Sequence, residues 1–72
     1  MTAYLFRAML RDRRRVDADS WQEYFQADGL TEADAEQEMC EWIERHRPRV
    51  QVVSVELAGD PEGVNVSRTG RA

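Results

Sequence analysis

Alternating apolar and polar residues mark the beginning of the chain. Over residues 3–11, one set of alternate positions is apolar throughout: Tyr4, Phe6, Ala8 and Leu10. A period of two residues is that of a β-strand with one face buried, so this segment is predicted as the first strand. Residues 16–27 are rich in aromatic side chains and are predicted as a second strand, which a polar hairpin turn at residues 12–15 joins to the first.

A helix is predicted from Thr31 to about His46 or Arg47. Thr31 is a favourable N-cap residue, Asp34 stands at the third helical position, and Pro48 disfavours helical geometry in the residue before it. Steps of ~100° per residue place an apolar stripe on one helix face. The stripe consists of Ala35, Met39, Trp42, Ile43 and His46. We expect this face to pack on the sheet.

The valine-rich residues 50–57 are predicted as a third strand. Its two faces would carry Val53, Val55 and Leu57 on one side and Val50, Val52 and Ser54 on the other. A short edge strand is predicted at residues 64–66, followed by a polar end. A right-handed crossover through the helix would place the third strand beside the first and make the first strand central.

The predicted fold class is therefore α+β, a three-stranded antiparallel sheet with one helix packed on one face. The order of elements is β-β-α-β, with a short C-terminal strand as an addition. Residues 1–60 are predicted to form a single domain and residues 61–72 a flexible C-terminal tail.

The composition limits the class of protein. A chain of 72 residues is near the lower limit for folding alone, and its single cysteine, Cys40, excludes an intrachain disulfide. Arg7 interrupts the apolar start and further arginines follow it, which is the reverse of a signal peptide. No segment approaches the ~20 apolar residues that span a bilayer. The sequence predicts a cytoplasmic protein without a membrane segment, as a monomer or a homodimer.

The net charge of −4 is distributed unevenly. Residues 1–16 carry five arginines and one aspartate, whereas residues 17–47 carry ten acidic residues and two arginines. On the predicted helix, four acids form a row opposite the apolar stripe: Asp34, Glu38, Glu41 and Glu44. Such a row either keeps the chain soluble or occupies a basic groove of a protein partner that otherwise holds a nucleic-acid backbone.

Four arginines cluster at the predicted hairpin turn. They are Arg11, Arg13, Arg14 and Arg15. They either contact phosphates or lie in solvent and pair with Asp17, Asp19 or the acidic helix. Because the chain is acidic as a whole and has no aromatic motif of the RNA-recognition type, direct binding of nucleic acid is the less favoured reading.

The sheet face that the helix leaves open is a further candidate surface. Its predicted apolar residues are Leu5, Met9, Tyr24 and Val52, interleaved with Arg7 and with Gln22 or Gln26. A contiguous apolar patch of this kind indicates a homodimer or partner contact, or a patch that the tail covers.

Residues with catalytic potential are few and scattered. His46 is placed near the helix C-terminus, where the helix dipole favours a cation, and Cys40 falls on a different helix face. This arrangement indicates neither a Cys–His nucleophile nor a zinc site. The glycines do not form a phosphate loop before a helix. The sequence therefore predicts a protein that is not an enzyme and has neither cofactor nor metal.

In size, acidity and order of elements, the chain resembles the small anti-CRISPR proteins of phages and mobile elements. The resemblance implies a stoichiometric inhibitor that binds a CRISPR effector and blocks its use of DNA, as a mimic of DNA does. Those proteins share no motif, so the resemblance assigns no residue. The alternatives are a nucleic-acid or ribonucleoprotein accessory module that uses the arginine hairpin, and a dimeric scaffold built on the open sheet face.

Overall fold

The chain folds as one sheet with a helix on one face. The computed structural model describes residues 2–15, 17, 19–59 and 63–69. The elements, in chain order, are β1 (Thr2–Asp12), β2 (Trp21–Gly29), α1 (Glu32–His46), β3 (Val50–Leu57) and β4 (Val66–Arg68). The α+β class and the bounds of the third strand agree with the sequence prediction.

The four strands lie in the order β3-β1-β2-β4. The long first strand is central and pairs antiparallel with β2 on one side and with β3 on the other, as predicted. β4 pairs parallel with β2, so the sheet is mixed and four-stranded, not purely antiparallel. The predicted fold class is correct for the first three strands and needs this correction for the fourth.

The hairpin between β1 and β2 is longer than predicted. β2 begins at Trp21, not at residue 16; Val16 itself lies outside the described residues. The backbone N–H of Arg15 donates to the carbonyl of Asp12 at 3.2 Å, and the Asp12 carboxylate accepts from the N–H of Arg14 at 2.9 Å. These bonds turn the chain directly after β1, and the polar residues that follow belong to the loop.

A β-bulge changes which residues of β3 share a face. Met9 stands opposite Ser54 and the next residue, Leu10, stands opposite Val52, so Val53 is an extra residue in β3. The predicted strict alternation is therefore wrong across this point. Val52 and Val55 lie on the same side of the sheet and both pack against the core, because the bulge shifts the alternation by one residue.

The core lies between the helix and the face of the sheet that it covers. Its fully buried large side chains are Phe6, Leu10, Phe25, Met39 and Ile43. Of the predicted helix stripe, Ala35, Met39 and Ile43 are buried, Trp42 is half-buried and His46 is exposed. The His46 ring stacks on Trp42 with 4.5 Å between ring centroids, so it extends the stripe from outside the core.

Both ends of α1 follow the local sequence signals. The Thr31 hydroxyl accepts a hydrogen bond from the N–H of Asp34 at 3.2 Å, as an N-cap does. At the other end, the N–H of Arg47 donates to the carbonyl of Ile43 at 2.7 Å and closes the last turn. Pro48 follows at once, and its effect on the preceding backbone accounts for the position of the end.

The C-terminal strand lies slightly later than predicted. It spans Val66–Arg68 instead of residues 64–66 and lies within residues 61–72, the segment predicted as the tail. Thr69, which follows it, is buried, and its N–H donates to the carbonyl of Gln26 at 2.9 Å. Within the described residues, no helix has the length and apolarity needed to cross a membrane.

Candidate functional site

The acidic row lies on the solvent side of α1. Asp34, Glu41 and Glu44 are exposed, while Glu38 is half-buried. At ~1.5 Å of rise per residue, the row extends ~15 Å along the helix axis. The structure therefore brings together the four acids that the sequence singled out. We call Asp34, Glu38, Glu41 and Glu44 the acidic row below.

The acidic row has no cationic partner among the described residues. The ion pairs found there join Arg7 to Glu56 and Arg47 to Glu23, and both lie on the sheet side or at the helix end. Like charges three or four residues apart on a helix destabilise it by ~0.2–0.5 kcal/mol per pair. Apart from Asp34, whose position in the first turn suits the helix dipole, the acidic row is thus a feature that the fold tolerates.

Two further acids, Glu32 and Glu36, extend the negative charge of α1 and are exposed. They are not part of the predicted acidic row, because they lie toward the edge of the apolar stripe. Burial raises the pKa of the half-buried Cys40 thiol, and the carboxylates of Glu36 and Glu44 raise it further. The raised pKa favours the protonated thiol, which is the less nucleophilic form.

The arginine cluster divides into two places. Arg13, Arg14 and Arg15 are exposed in the loop after β1. Arg11 lies within β1, half-buried, and its Nε donates to the side-chain oxygen of Gln51 at 2.8 Å. The hairpin therefore presents three of the four predicted arginines together, and Arg11 belongs to the open sheet face.

Arg49 joins the loop arginines from a distant part of the sequence. The N–H of Arg13 donates to the Arg49 carbonyl at 2.7 Å, so the start of β3 lies beside the end of β1. Arg49 is not among the arginines of the predicted cluster. The signal was present in the predicted antiparallel pairing of the first and third strands, which puts the end of one beside the beginning of the other.

The open sheet face is a mixture of apolar and charged side chains. Leu5, Met9 and Tyr24 are half-buried on it, as predicted. The guanidinium of Arg7 lies between them and binds the Glu56 carboxylate, which raises the pKa of Arg7. Val52 is not part of this face, because the bulge turns it toward the helix.

An open pocket of about 190 Å³ lies where α1 meets the start of β3. Its lining includes Arg13, Cys40 and Glu44. This volume is below the ~300–1,000 Å³ of most ligand sites. Among the described residues, no group of three or more His, Cys, Asp or Glu side chains is arranged to hold a metal ion.

Comparison of the chain with protein-family models, with curated proteins and with solved structures gives no match. Any functional reading of this fold therefore rests on its own surfaces.

Proposed function

We propose that this chain is a small non-enzymatic interaction protein whose acidic row occupies a basic groove on a protein partner. The partner implied by the resemblance to anti-CRISPR proteins is a CRISPR effector complex, in which the groove otherwise holds DNA. The chain then acts as a stoichiometric inhibitor of DNA binding in the bacterial cytoplasm.

The observation that carries this proposal is the exposure of unpaired carboxylates along one helix. Asp34, Glu41 and Glu44 point to solvent, and the described ion pairs involve none of them. Successive members of the acidic row are ~4.5–6 Å apart along the axis. That repeat is of the same order as the ~3.4 Å axial repeat of charges along one DNA strand, so a groove that binds phosphates offers a complementary potential.

The experiment is a competition between this protein and DNA. A purified CRISPR effector complex is mixed with fluorescently labelled target DNA, and displacement is measured as wild-type protein is added. We expect displacement by the wild type and its loss, by at least ~tenfold in concentration, in Glu41→Lys/Glu44→Lys, because like charges then face each other across the interface.

The matched control is Asp17→Lys/Asp19→Lys, which changes the net charge equally on two exposed loop residues. It should displace DNA as the wild type does, and circular dichroism should show the same helix content in all three proteins. Equal inhibition by the helix variant and the wild type would show that the acidic row is not the contact. Failure of the wild type on every effector type would remove the CRISPR partner from the proposal.

A second candidate function is favoured by the position of Arg49 beside Arg13. The fold thus gathers arginines from residues 13–15 and from the residue just before β3, a larger basic group than the hairpin alone. In this alternative the chain is a nucleic-acid accessory module. Binding of a labelled oligonucleotide should then weaken steeply with salt and disappear in Arg13→Ala/Arg14→Ala/Arg15→Ala, while the exposed Arg68→Ala serves as control.

A further inference from the structure

The outer edge of β3 is a long strand edge without a partner strand among the described residues. β3 has eight residues and ends the sheet on one side, whereas the opposite end is closed by the three-residue β4. β3 contains neither lysine nor proline, residues that commonly protect such edges. Two of its apolar side chains, Val53 at 53% and Leu57 at 50%, are half exposed.

Hydrogen bonds at the two ends of β3 show which of its backbone groups point outward, that is, away from β1. The Ala58 N–H donates to the Leu5 carbonyl at 2.9 Å. In an antiparallel ladder hydrogen-bonded and non-bonded pairs alternate, so Leu57 and then Val55 direct their N–H and C=O groups away from β1. These two residues form the outward set at the C-terminal end of the strand.

The same argument applies to the other end of β3. The Arg13 N–H donates to the Arg49 carbonyl at 2.7 Å, so Val50 and then Val52 are the outward residues there. The N–H of Val50 is already bonded to the Arg47 carbonyl at 3.0 Å, which leaves its carbonyl available.

The bulge makes this outward set symmetric along the strand. Counted inward from the two ends of β3, the outward residues are the first and third on each side: Val50, Val52, Val55 and Leu57. A strand with unbroken alternation and an even number of residues would not have this symmetry, because first and last residues would point opposite ways. All four outward residues are apolar, and their side chains lie on the helix side of the sheet.

We propose that β3 pairs edge to edge with β3 of a second copy of this chain, antiparallel, with the two-fold axis between Val53 and Ser54. In this register Val50 faces Leu57 and Val52 faces Val55 of the second copy. Every outward backbone position then meets an outward position. The result is a continuous eight-stranded sheet across the dimer.

The side chains of the other face are compatible with the same register. Gln51 faces Glu56 of the second copy, and Val53 faces Ser54, so no like charges stand directly opposite. Moving the register by two residues in one direction places Leu57 opposite Pro48. Moving it by two in the other direction places the outward Val55 opposite the inward Ser54. The position of the bulge therefore selects one register.

The helices do not obstruct this pairing. α1 packs chiefly against β2, two strands from the β3 edge, and its C-terminal half also meets the start of β3. In the antiparallel register the two Val50 ends lie at opposite ends of the shared edge, so the helix segments nearest the edge do not face each other. In the dimer, five strand spacings of ~4.8 Å separate β2 from its copy, or ~24 Å, which exceeds the ~8–10 Å at which helices touch. Both acidic rows stay exposed, so the dimer is independent of the proposed function and compatible with it.

The first test introduces a charged side chain beside the two-fold axis of the dimer. Sedimentation is measured between ~1 and ~100 μM for wild type, Val53→Lys and Val53→Glu. We expect the wild type to dimerise, and each variant to raise the dimer dissociation constant at least ~tenfold, because two like charges then lie beside the axis. An equimolar mixture of the two variants should dimerise again, which excludes misfolding as the cause of the loss.

The matched control is Val64→Lys, which introduces the same charge at an exposed valine away from β3. It should dimerise as the wild type does. The proposal is overturned if the wild type remains monomeric over the whole range, if Val64→Lys and Val53→Lys have equal effects, or if the mixed variants stay monomeric.

The second test fixes the register. In a Cys40→Ala background, a chain with Val53→Cys is mixed under mild oxidation with a chain carrying Ser54→Cys. These positions face each other as a non-hydrogen-bonded pair in the dimer, with Cα atoms ~4.5 Å apart, a separation that suits a disulfide. We expect a mixed disulfide dimer. Equal or greater cross-linking of Val53→Cys to Glu56→Cys would refute this register.

Discussion

Glu23 is the residue that ties the end of the helix to the sheet. Its carboxylate accepts hydrogen bonds from Nη1 of Arg47 at 2.6 Å and from the Trp21 indole N–H at 2.7 Å. The hydrogen bond from Arg47 lowers the pKa of Glu23, partial burial opposes this, and the bond from Trp21 lowers it further. Since Arg47 is also the C-cap of α1, one carboxylate joins β2, the helix end and the turn into β3.

Glu23→Gln should therefore destabilise the fold in a pH-dependent way. A pKa that is lower in the folded state means that the ionised form contributes stability above the unfolded value of ~4.3, and that this contribution is lost as the pH falls through the folded value. We expect a loss of about 1 kcal/mol in the free energy of unfolding near pH 7 and almost none near pH 3, measured by urea denaturation.

The control for this prediction is Asp28→Asn, at an exposed position of the same strand. It should change the free energy of unfolding by no more than ~0.5 kcal/mol. A loss for Glu23→Gln of equal size at both pH values would mean that the side chain acts through packing and not through its charge.

At the scale of elements, the junction between β2 and α1 is the tightest point of the chain. A Cβ atom on Gly29 would lie 2.5 Å from the backbone nitrogen of Ala35 and 2.9 Å from the carbonyl oxygen of Thr31. Both are backbone atoms of the first helical turn and its cap, so a change of side-chain rotamer cannot relieve the overlap. The close approach allows the Thr31 cap to form directly after the strand ends.

Gly29→Ala should accordingly lower the free energy of unfolding by at least ~2 kcal/mol, since the added methyl group must move the start of the helix away from β2. Chemical denaturation followed by circular dichroism measures this loss. Gly59→Ala is the matched control, because a Cβ at Gly59 meets no atom within 4 Å. Equal stability of the two variants would show that the junction relaxes freely.

The elements that the sequence predicted well are those whose signals are local. The helix follows from the Thr31 cap, the apolar stripe and Pro48, all within about one helix length, and the structure confirms it. The third strand follows from four valines within residues 50–55, in a segment bounded by turns. Each of these signals acts through the backbone of its own segment, so no knowledge of pairing was needed.

The features that the sequence missed depend on partners far along the chain. The bulge at Val53 is set by the register with β1, and it moved Val52 from the predicted open face to the core side. A short C-terminal strand was predicted, but its bounds at Val66–Arg68 and its parallel pairing depend on hydrogen bonding next to β2. The same holds for Arg49, which joined the loop arginines only through strand pairing.

At the scale of the whole molecule, the fold keeps the separation of charge that the sequence indicated. The described acids of α1 lie over the outer side of the helix, and the loop arginines lie at the end of the sheet where β1 meets β3. The candidate acidic surface was therefore predictable, because an amphipathic helix exposes the side opposite its apolar stripe. The composition of the basic group was not predictable, because the group combines residues 13–15 with Arg49 from a second segment of the chain.

Sodium chloride should stabilise this fold. The acids of α1 repel one another at spacings of three and four residues, and screening reduces this repulsion. Screening also weakens the two ion pairs found among the described residues and the interactions of terminal charges with the helix dipole, but we expect the relief of repulsion to be larger. Raising NaCl from about 0.01 M to about 0.5 M should add roughly 0.5–1 kcal/mol, or a few degrees in the melting temperature. The melting temperature is measured at one protein concentration, so that any dimerisation does not alter the comparison.

The neutralised variant Glu41→Gln/Glu44→Gln separates this effect from a general action of salt. With fewer like charges to screen, it should melt higher than the wild type at low salt and gain less when salt is added. A wild-type melting temperature that falls with salt would mean that attractive interactions compensate the carboxylates within the fold. The acidic row would then be part of the protein's own stability, and its availability for a basic partner would no longer follow from its exposure.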